Sequence, residues 1–240
     1  MSNGVFHSYY IPGVGEYDGY SINSFGLCSG VFGVQEGAAE AGSPIVLTYV
    51  PQSDFQELNS ATPPTQQQLN DNAYWIWALI PGPAPYESSY YITSMLPSSI
   101  EIQFRGHQLL WPEPPFVIDI QGGNAESGTP LVLSRMVGGS FLWWPYPQTE
   151  YSTSQLWNVV LVVELENPFF PPVMLQSVLD PNFAIDLTDY NTAAGTPLQL
   201  YPMKPTGTLE LDHDALNQMW FIWRAAQDPY STDPAGWQQG

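Results

Sequence analysis

One short unit occurs three times in this chain, and that repetition constrains the fold more than any other feature. Residues 31–49 read VFGVQEGAAEAGSPIVLTY, residues 117–135 read VIDIQGGNAESGTPLVLSR, and residues 184–202 read AIDLTDYNTAAGTPLQLYP. The copies align without gaps and share a glycine-serine/threonine-proline core that begins at Gly42, Gly128 and Gly195. Copies this similar are predicted to occupy equivalent positions in one structure.

Each copy is followed by a tryptophan-bearing segment, namely NAYWIWALI from Asn72, SQLWNVVLV from Ser154 and NQMWFIWRA from Asn217. This alignment places three tryptophans in register, and we expect them at equivalent buried positions: Trp75, Trp157 and Trp220. The apolar residues in VIDIQ and PLQLY alternate with a period of two, which is typical of half-buried strands.

Strand-rich units of this size cannot each bury a core alone, but three of them can when they pack around an axis. The 24 prolines and 20 glycines favour short strands joined by turns. We therefore predict one all-β domain over 1–240, with repeats at about 1–80, 81–165 and 166–226, long inserted loops and a polar tail at 227–240.

The charge of the chain excludes several partners. Its formal net charge is −19, with only four basic residues, so a phosphate backbone or an anionic membrane surface would repel it. No basic start with an apolar run marks a signal peptide, and no apolar stretch reaches the roughly 18 residues of a membrane span. These observations predict a cytoplasmic location, although unconventional secretion would leave no such trace.

The repeat resembles a known family in two motifs. Gly-Thr-Pro-Leu-x-Leu is followed by Gln-x-Trp, as Gln155-Leu156-Trp157 and Gln218-Met219-Trp220, and this pattern resembles the ricin-B family of β-trefoil lectins. The opening VFHSYYIPGVG is similar to the first strand of mushroom lectins in that family. The resemblance implies a β-trefoil of fungal type that binds galactose or N-acetylgalactosamine, with the Gln-x-Trp residues mostly structural.

In such lectins one repeat supplies the whole sugar site. The resemblance assigns it here to the third repeat: Asp186, Gln199, Tyr201, Asn217 and Gln218. The aspartate accepts hydrogen bonds from two sugar hydroxyls, the aromatic ring stacks on the apolar face of the sugar, and the amides add polar contacts. Asp189 is predicted to lie at the turn and to brace Asp186. Asp186→Ala should cost little stability if the side chain faces solvent.

The second repeat keeps Asp119 but has Val132, Ser134 and Ser154 where the third has glutamine, tyrosine and asparagine. A platform for a degenerate second site could come from the inserted WWPYP run, through Trp143 and Trp144. The alternative is that these tryptophans form a plug under the loop or a dimer contact.

The first repeat has lost nearly all of the set. Gly33, Val46 and Thr48 replace the aspartate, the glutamine and the aromatic residue. Ala73 is predicted to replace the Gln-x-Trp glutamine, while Asn72 remains. Each third-repeat residue alone has a structural alternative, because aspartates commonly cap turns and Tyr201 could belong to the core. A purely structural role, however, would require similar residues in all three copies.

Nothing in the chain predicts catalysis, a cofactor or a metal. Cys28 has no basic neighbour in sequence to lower its pKa, so we expect no thiol chemistry and expect Cys28→Ser to retain all function. The acidic cluster in the last loop is best explained as a solvated loop: Glu210, Asp212, His213 and Asp214. No phosphate-binding loop, nucleophile elbow or zinc-protease motif occurs.

Two functions remain open. One is a lectin for glycans or glycoconjugates, monovalent unless the chain forms a homodimer. The other is a non-catalytic β-trefoil that binds protein, such as a protease inhibitor or an accessory subunit of an enzyme. The complete third-repeat set favours the lectin, and the long loops and two degraded repeats favour the protein-binding module.

Overall fold

The computed structural model describes residues 8–11, 15–18, 20–25, 30–51, 74–96, 99–104, 107–112, 114–138, 151–162, 172–204 and 213–224. These residues form sixteen strands: β1 Ser8–Ile11, β2 Gly15–Asp18, β3 Tyr20–Ser24, β4 Val31–Val34, β5 Ile45–Thr48, β6 Trp77–Pro81, β7 Tyr90–Ser94, β8 Ser99–Phe104, β9 His107–Pro112, β10 Phe116–Ile120, β11 Thr129–Arg135, β12 Leu156–Leu161, β13 Val173–Ser177, β14 Phe183–Leu187, β15 Leu198–Pro202 and β16 Trp220–Arg224.

Helical structure in the described part of the chain is confined to five short 3-10 helices: Gln35–Gly37, Gln121–Gly123, Thr153–Gln155, Thr188–Tyr190 and His213–Gln218. None of the helices formed by these residues is long and apolar enough to cross a membrane. The chain is therefore all-β, as its repeat pattern predicts.

Six strands form a closed antiparallel barrel. The pairs run β3–β6, β6–β7, β7–β12, β12–β13, β13–β16 and β16–β3, so that each repeat contributes its first and last strand. Closure leaves these strands without a free edge, which is how antiparallel sheets avoid open pairing groups.

Three hairpins, β4–β5, β10–β11 and β14–β15, form a cap on this barrel. The repeat glycines join them in a cycle, because each donates its backbone N–H to a carbonyl of the next hairpin at 2.8 Å: Gly42 to Leu133, Gly128 to Leu200 and Gly195 to Leu47. All three glycines have positive φ, which explains why the repeat requires glycine there. A six-stranded barrel with a three-hairpin cap is the predicted β-trefoil.

The tryptophan of the first repeat is Trp77, so the prediction that Trp75 is equivalent to the other two is wrong. Three indole N–H groups donate to the first cap strand of their own repeat: Trp77 to Phe32 at 3.1 Å, Trp157 to Ile118 at 3.3 Å and Trp220 to Ile185 at 3.3 Å. The first copy reads Trp-Ile-Trp, and the alignment chose the wrong member of that pair.

Trp77, Trp157 and Trp220 lie fully buried in the main core, which fills the barrel and the space beneath the cap. Trp75 is also fully buried, but it packs in a smaller cluster with Val31 and Ile76. Since Trp77 is the equivalent of Trp157 and Trp220, Trp75 occupies the place of Gln155 and Gln218. Ala73 and Asn72, which the sequence alignment placed at the glutamine and asparagine positions, lie outside the described residues, and that placement rested on the same wrong register.

Candidate functional site

The centre of the third repeat is the carboxylate of Asp186, which is only 1% exposed. Its Oδ1 accepts a hydrogen bond from Gln199 Nε2 at 3.0 Å. Its Oδ2 accepts hydrogen bonds from Asn217 Nδ2 at 2.8 Å and from Gln218 Nε2 at 3.1 Å. The structure thus brings together four of the five residues assigned from sequence around one buried acid.

The β14–β15 hairpin explains the positions of Asp186, Gln199 and Tyr201. Asp186 pairs directly with Gln199 across the two strands. Tyr201 lies two residues beyond Gln199, and alternate residues of a strand face the same side. Tyr201 therefore stands next to the polar cluster, and its side chain is 38% exposed, as a surface that stacks on a ligand requires.

Asn217 and Gln218 come from the 3-10 helix that precedes Trp220. Gln218 donates to the Pro202 carbonyl at 3.0 Å and accepts the Lys204 backbone N–H at 2.9 Å, so it joins the end of β15 to the barrel. Asn217 Nδ2 also donates to the Leu187 carbonyl at 3.0 Å. Gln218 thus holds the hairpin in place, whereas the oxygen of Asn217 remains available to a cation.

That cation is Lys204, a residue that the sequence reasoning missed. Its Nζ donates to Asn217 Oδ1 at 2.7 Å and to the Tyr190 hydroxyl at 3.2 Å, and it lies 3.5 Å from Asp186 Oδ2. The side chain is 19% exposed. The sequence held a signal for this residue, because Lys204 is three residues after Tyr201 and is one of only four basic residues in the chain.

Burial raises the pKa of Asp186 above its ordinary value, because an ionised carboxylate loses water there. Hydrogen bonds from Gln199, Gln218 and Lys204, and the positive charge of Lys204, act in the opposite direction. Because the side chain is buried, the condition for a harmless Asp186→Ala substitution is not met. Removing this carboxylate would leave several buried amide donors without their acceptor.

Asp189 and Tyr190 lie in the exposed turn after β14, at φ of 52° and 55°. The groups that hold Asp186 are the three amides and Lys204 rather than Asp189. Asp189 therefore stands at the turn, as predicted, but these contacts give it no part in bracing the site. Its neighbour Tyr190 contacts Lys204 instead.

The second repeat keeps only the structural half of this arrangement. Gln155 Nε2 donates to Asp119 Oδ2 and to the Arg135 carbonyl, both at 3.0 Å, and Gln155 Oε1 accepts the Val137 N–H at 2.8 Å. Asp119 Oδ1 is buried and has no hydrogen-bond partner among the described residues. Ser154 is buried, and Trp143 and Trp144 lie outside the described residues.

The first repeat has no room for an acid. A Cβ placed on Gly33 would lie 2.5 Å from Thr48 Cγ2, well inside van der Waals contact. The neighbouring polar position is taken by the buried ring of Trp75. In the first repeat, apolar packing therefore occupies the positions that hold the polar cluster in the third repeat.

Most of the other candidate residues from sequence fall in parts of the chain that the structure does not describe. Cys28, Glu210 and Asp212 lie outside the described residues. Within the described ranges, no group of three or more histidine, cysteine, aspartate or glutamate side chains is placed to hold a metal ion.

No protein-family model matches the sequence, and no curated protein matches it. Solved structures do. A designed 3-fold symmetric protein, ThreeFoil, has a TM-score of 0.50 at 12% identity over 85% of this chain and 97% of its own. An exo-β-1,3-galactanase from Clostridium thermocellum has a TM-score of 0.50 at 12% identity over 86% of this chain and 30% of its own. The Rhizoctonia solani agglutinin, at 13% identity over 86% of this chain and 95% of its own, has a TM-score of 0.48. The likeness to the threefold design agrees with the strand pairing, and the chain has the β-trefoil fold.

Proposed function

We propose that this chain is a carbohydrate-binding protein and that the third repeat holds its sugar site. The observation that carries the proposal is the buried Asp186 carboxylate, surrounded by amides and Lys204, beside the exposed ring of Tyr201. A sugar needs this mixture, because each pyranose has a polar rim and an apolar face.

Each polar group has a distinct task in this proposal. Asp186 Oδ1 accepts one amide hydrogen bond, and a carboxylate oxygen can accept a second. Because Asp186 is only 1% exposed, a sugar hydroxyl supplies that second bond when a covering side chain such as Lys204 moves aside. The ammonium of Lys204 donates to hydroxyl oxygens, and Gln199 and Asn217 orient the acid. Tyr201 stacks on the ring.

The ligand class in the proposal is galactose or N-acetylgalactosamine on a glycoconjugate, as the resemblance to ricin-B lectins implies. The chain acts without catalysis, cofactor or metal. A single site binds monovalently, so cross-linking of cells would require a homodimer.

A glycan array followed by titration calorimetry tests the proposal. Asp186→Ala should weaken binding on the order of tenfold or more, since hydrogen bonds to a charged group contribute about 1.5–3 kcal/mol. Asp119→Ala, at the matching place in the second repeat, should leave affinity unchanged.

Since Asp186→Ala also disturbs a buried network, Tyr201→Ala provides a second measurement. Tyr201 is exposed, so the variant should fold normally and still lose affinity. Ser134→Ala is its matched control in the second repeat. If the wild-type protein binds no glycan, or if both third-repeat variants bind like wild type, the protein-binding module becomes the better account.

A further inference from the structure

Tyr190 adopts a backbone conformation that its side chain disfavours. Its φ is 55°, in the left-handed region, where a bulky residue is rare and strained. At the same place the first repeat has Gly37 at 64° and the second has Gly123 at 66°. Two repeats thus use the residue that this turn prefers, and the third accepts a cost to carry a tyrosine.

Burial of the Tyr190 ring in the core does not offset this backbone strain. Its side chain is 36% exposed, close to the value for Tyr201. Backbone strain that packing does not offset is typically found where a side chain serves a function.

Tyr190 also lies at the site. Lys204 Nζ is 4.7 Å from the centre of the Tyr190 ring and 5.4 Å from the centre of the Tyr201 ring. The same nitrogen donates to the Tyr190 hydroxyl at 3.2 Å. Two exposed aromatic rings therefore approach one ammonium group directly beside Asp186.

We propose that Tyr190 contacts the ligand directly and is the residue that sets specificity beyond the first sugar ring. This inference rests on the proposed function. With Tyr201 holding the pyranose, Tyr190 forms a second aromatic wall for an apolar group next to it. That group is either the methyl of an acetamido substituent or the face of a neighbouring sugar.

The experiment compares wild type, Tyr190→Gly, Tyr190→Phe and Asp186→Ala. Titration calorimetry is run with galactose, N-acetylgalactosamine and a galactose-containing disaccharide, and thermal unfolding is recorded for each variant. Tyr190→Gly restores the residue of the other repeats, so its melting temperature should equal or exceed that of wild type.

We expect Tyr190→Gly to lose on the order of tenfold in affinity for the best wild-type ligand while its affinity for plain galactose changes little. A collapse of the preference for N-acetylgalactosamine identifies the acetamido group as the contact, and a collapse of the preference for the disaccharide identifies the neighbouring sugar. Tyr190→Phe should bind like wild type.

Three results would overturn the inference. In one, Tyr190→Gly binds every sugar within about twofold of wild type, although Asp186→Ala has lost binding. In another, Tyr190→Phe binds the sugars as weakly as Tyr190→Gly, which would mean that the hydroxyl contributes to binding through Lys204 and that the ring does not contact the ligand. In the last, Tyr190→Gly melts well below wild type with unchanged affinity. A wild-type protein that binds none of these sugars refutes the proposed galactose-type ligand, on which this inference rests, and a glycan array then decides whether the proposed function fails as well.

Discussion

The first and third repeats share one backbone but fill the same position in opposite ways. In the third, Asp186 and Gln218 belong to a buried polar network that extends through Lys204 to the exposed Tyr190. In the first, Gly33 stands at the place of the acid and the ring of Trp75 at the place of the glutamine. Threefold symmetry of the backbone therefore imposes no polar site, and the fold is equally served by apolar packing.

The second repeat shows which part of the network is structural. Gln155 makes the same three kinds of hydrogen bond as Gln218. It bonds to the acid, to a strand carbonyl, and to the backbone N–H two residues after that carbonyl. The residues that it lacks are the counterparts of Gln199, Tyr201 and Asn217. The difference between the two repeats thus separates a group that holds the hairpin from the groups that we propose for the sugar site.

The largest expected effect concerns the tryptophans. Trp77→Ala should destabilise the fold by about 3–5 kcal/mol, as should Trp157→Ala and Trp220→Ala, because each removes a fully buried ring from the main core. Denaturant unfolding measures this. A Trp77→Ala variant with a midpoint near wild type, while the other two are strongly shifted, would show that the three rings are not equivalent.

Much of the fold was accessible from sequence because its signals are local and repeated. The glycine-proline core recurs three times, and each glycine has a positive φ, between 83° and 91°, and the same hydrogen bond to the next hairpin. The tryptophan register was not accessible, because Trp75 and Trp77 are both apolar, both buried and two residues apart. In the structure, the indole bond to Phe32 and the place in the main core identify Trp77.

The sequence predicted that Asp186, Gln199, Asn217 and Gln218 lie together, but it did not predict the burial of the acid or the presence of Lys204. Gapless alignment places Asp186, Gln199 and Tyr201 correctly, since strand pairing preserves their spacing. Asp186 is buried, and Lys204 reaches it from beyond β15. The sequence shows Tyr190 aligned with two glycines, but its left-handed backbone conformation is seen only in the structure.

A smaller effect tests whether packing around Gly33 in the first repeat excludes a larger side chain. Gly33→Ala should destabilise by about 1–3 kcal/mol, because the added methyl group overlaps Thr48 Cγ2. Adding Thr48→Ser removes that methyl and should recover part of the loss. Thermal unfolding of both variants checks this, and a neutral Gly33→Ala would mean that the first repeat yields more easily than its packing indicates.

The two Gln-x-Trp glutamines should have similar effects on stability and different effects on binding. Gln218→Ala and Gln155→Ala should each cost about 1–3 kcal/mol, because each removes a hydrogen bond to an acid and leaves a backbone carbonyl and a backbone N–H without their side-chain partner. Only Gln218→Ala should lower sugar affinity, since its acid lies at the site. Equal loss of affinity in both variants would contradict the assignment of one functional repeat.

The smallest effect is the pH dependence that distinguishes the third repeat. Because burial raises the pKa of Asp186, its carboxylate takes up a proton at a higher pH than an ordinary aspartate. The proposed binding mode uses the ionised form as acceptor, so affinity should fall on acidification while the pH is still above the ordinary value of 3.8.

The effect of the same group on stability has the opposite sign. A folded-state pKa above the unfolded one means that the folded state binds the proton more tightly. The stabilising contribution of Asp186 is therefore complete below the unfolded pKa and is lost as the pH rises through the folded value. Sugar titrations between about pH 7 and pH 4, with near-ultraviolet circular dichroism to confirm folding, should show loss of affinity in an intact protein. Asp186→Asn has no carboxylate to titrate, and any residual binding by it should not follow that curve. If wild-type affinity stays constant down to the ordinary aspartate range, the acid at the centre of the third repeat is not the group that binds the sugar.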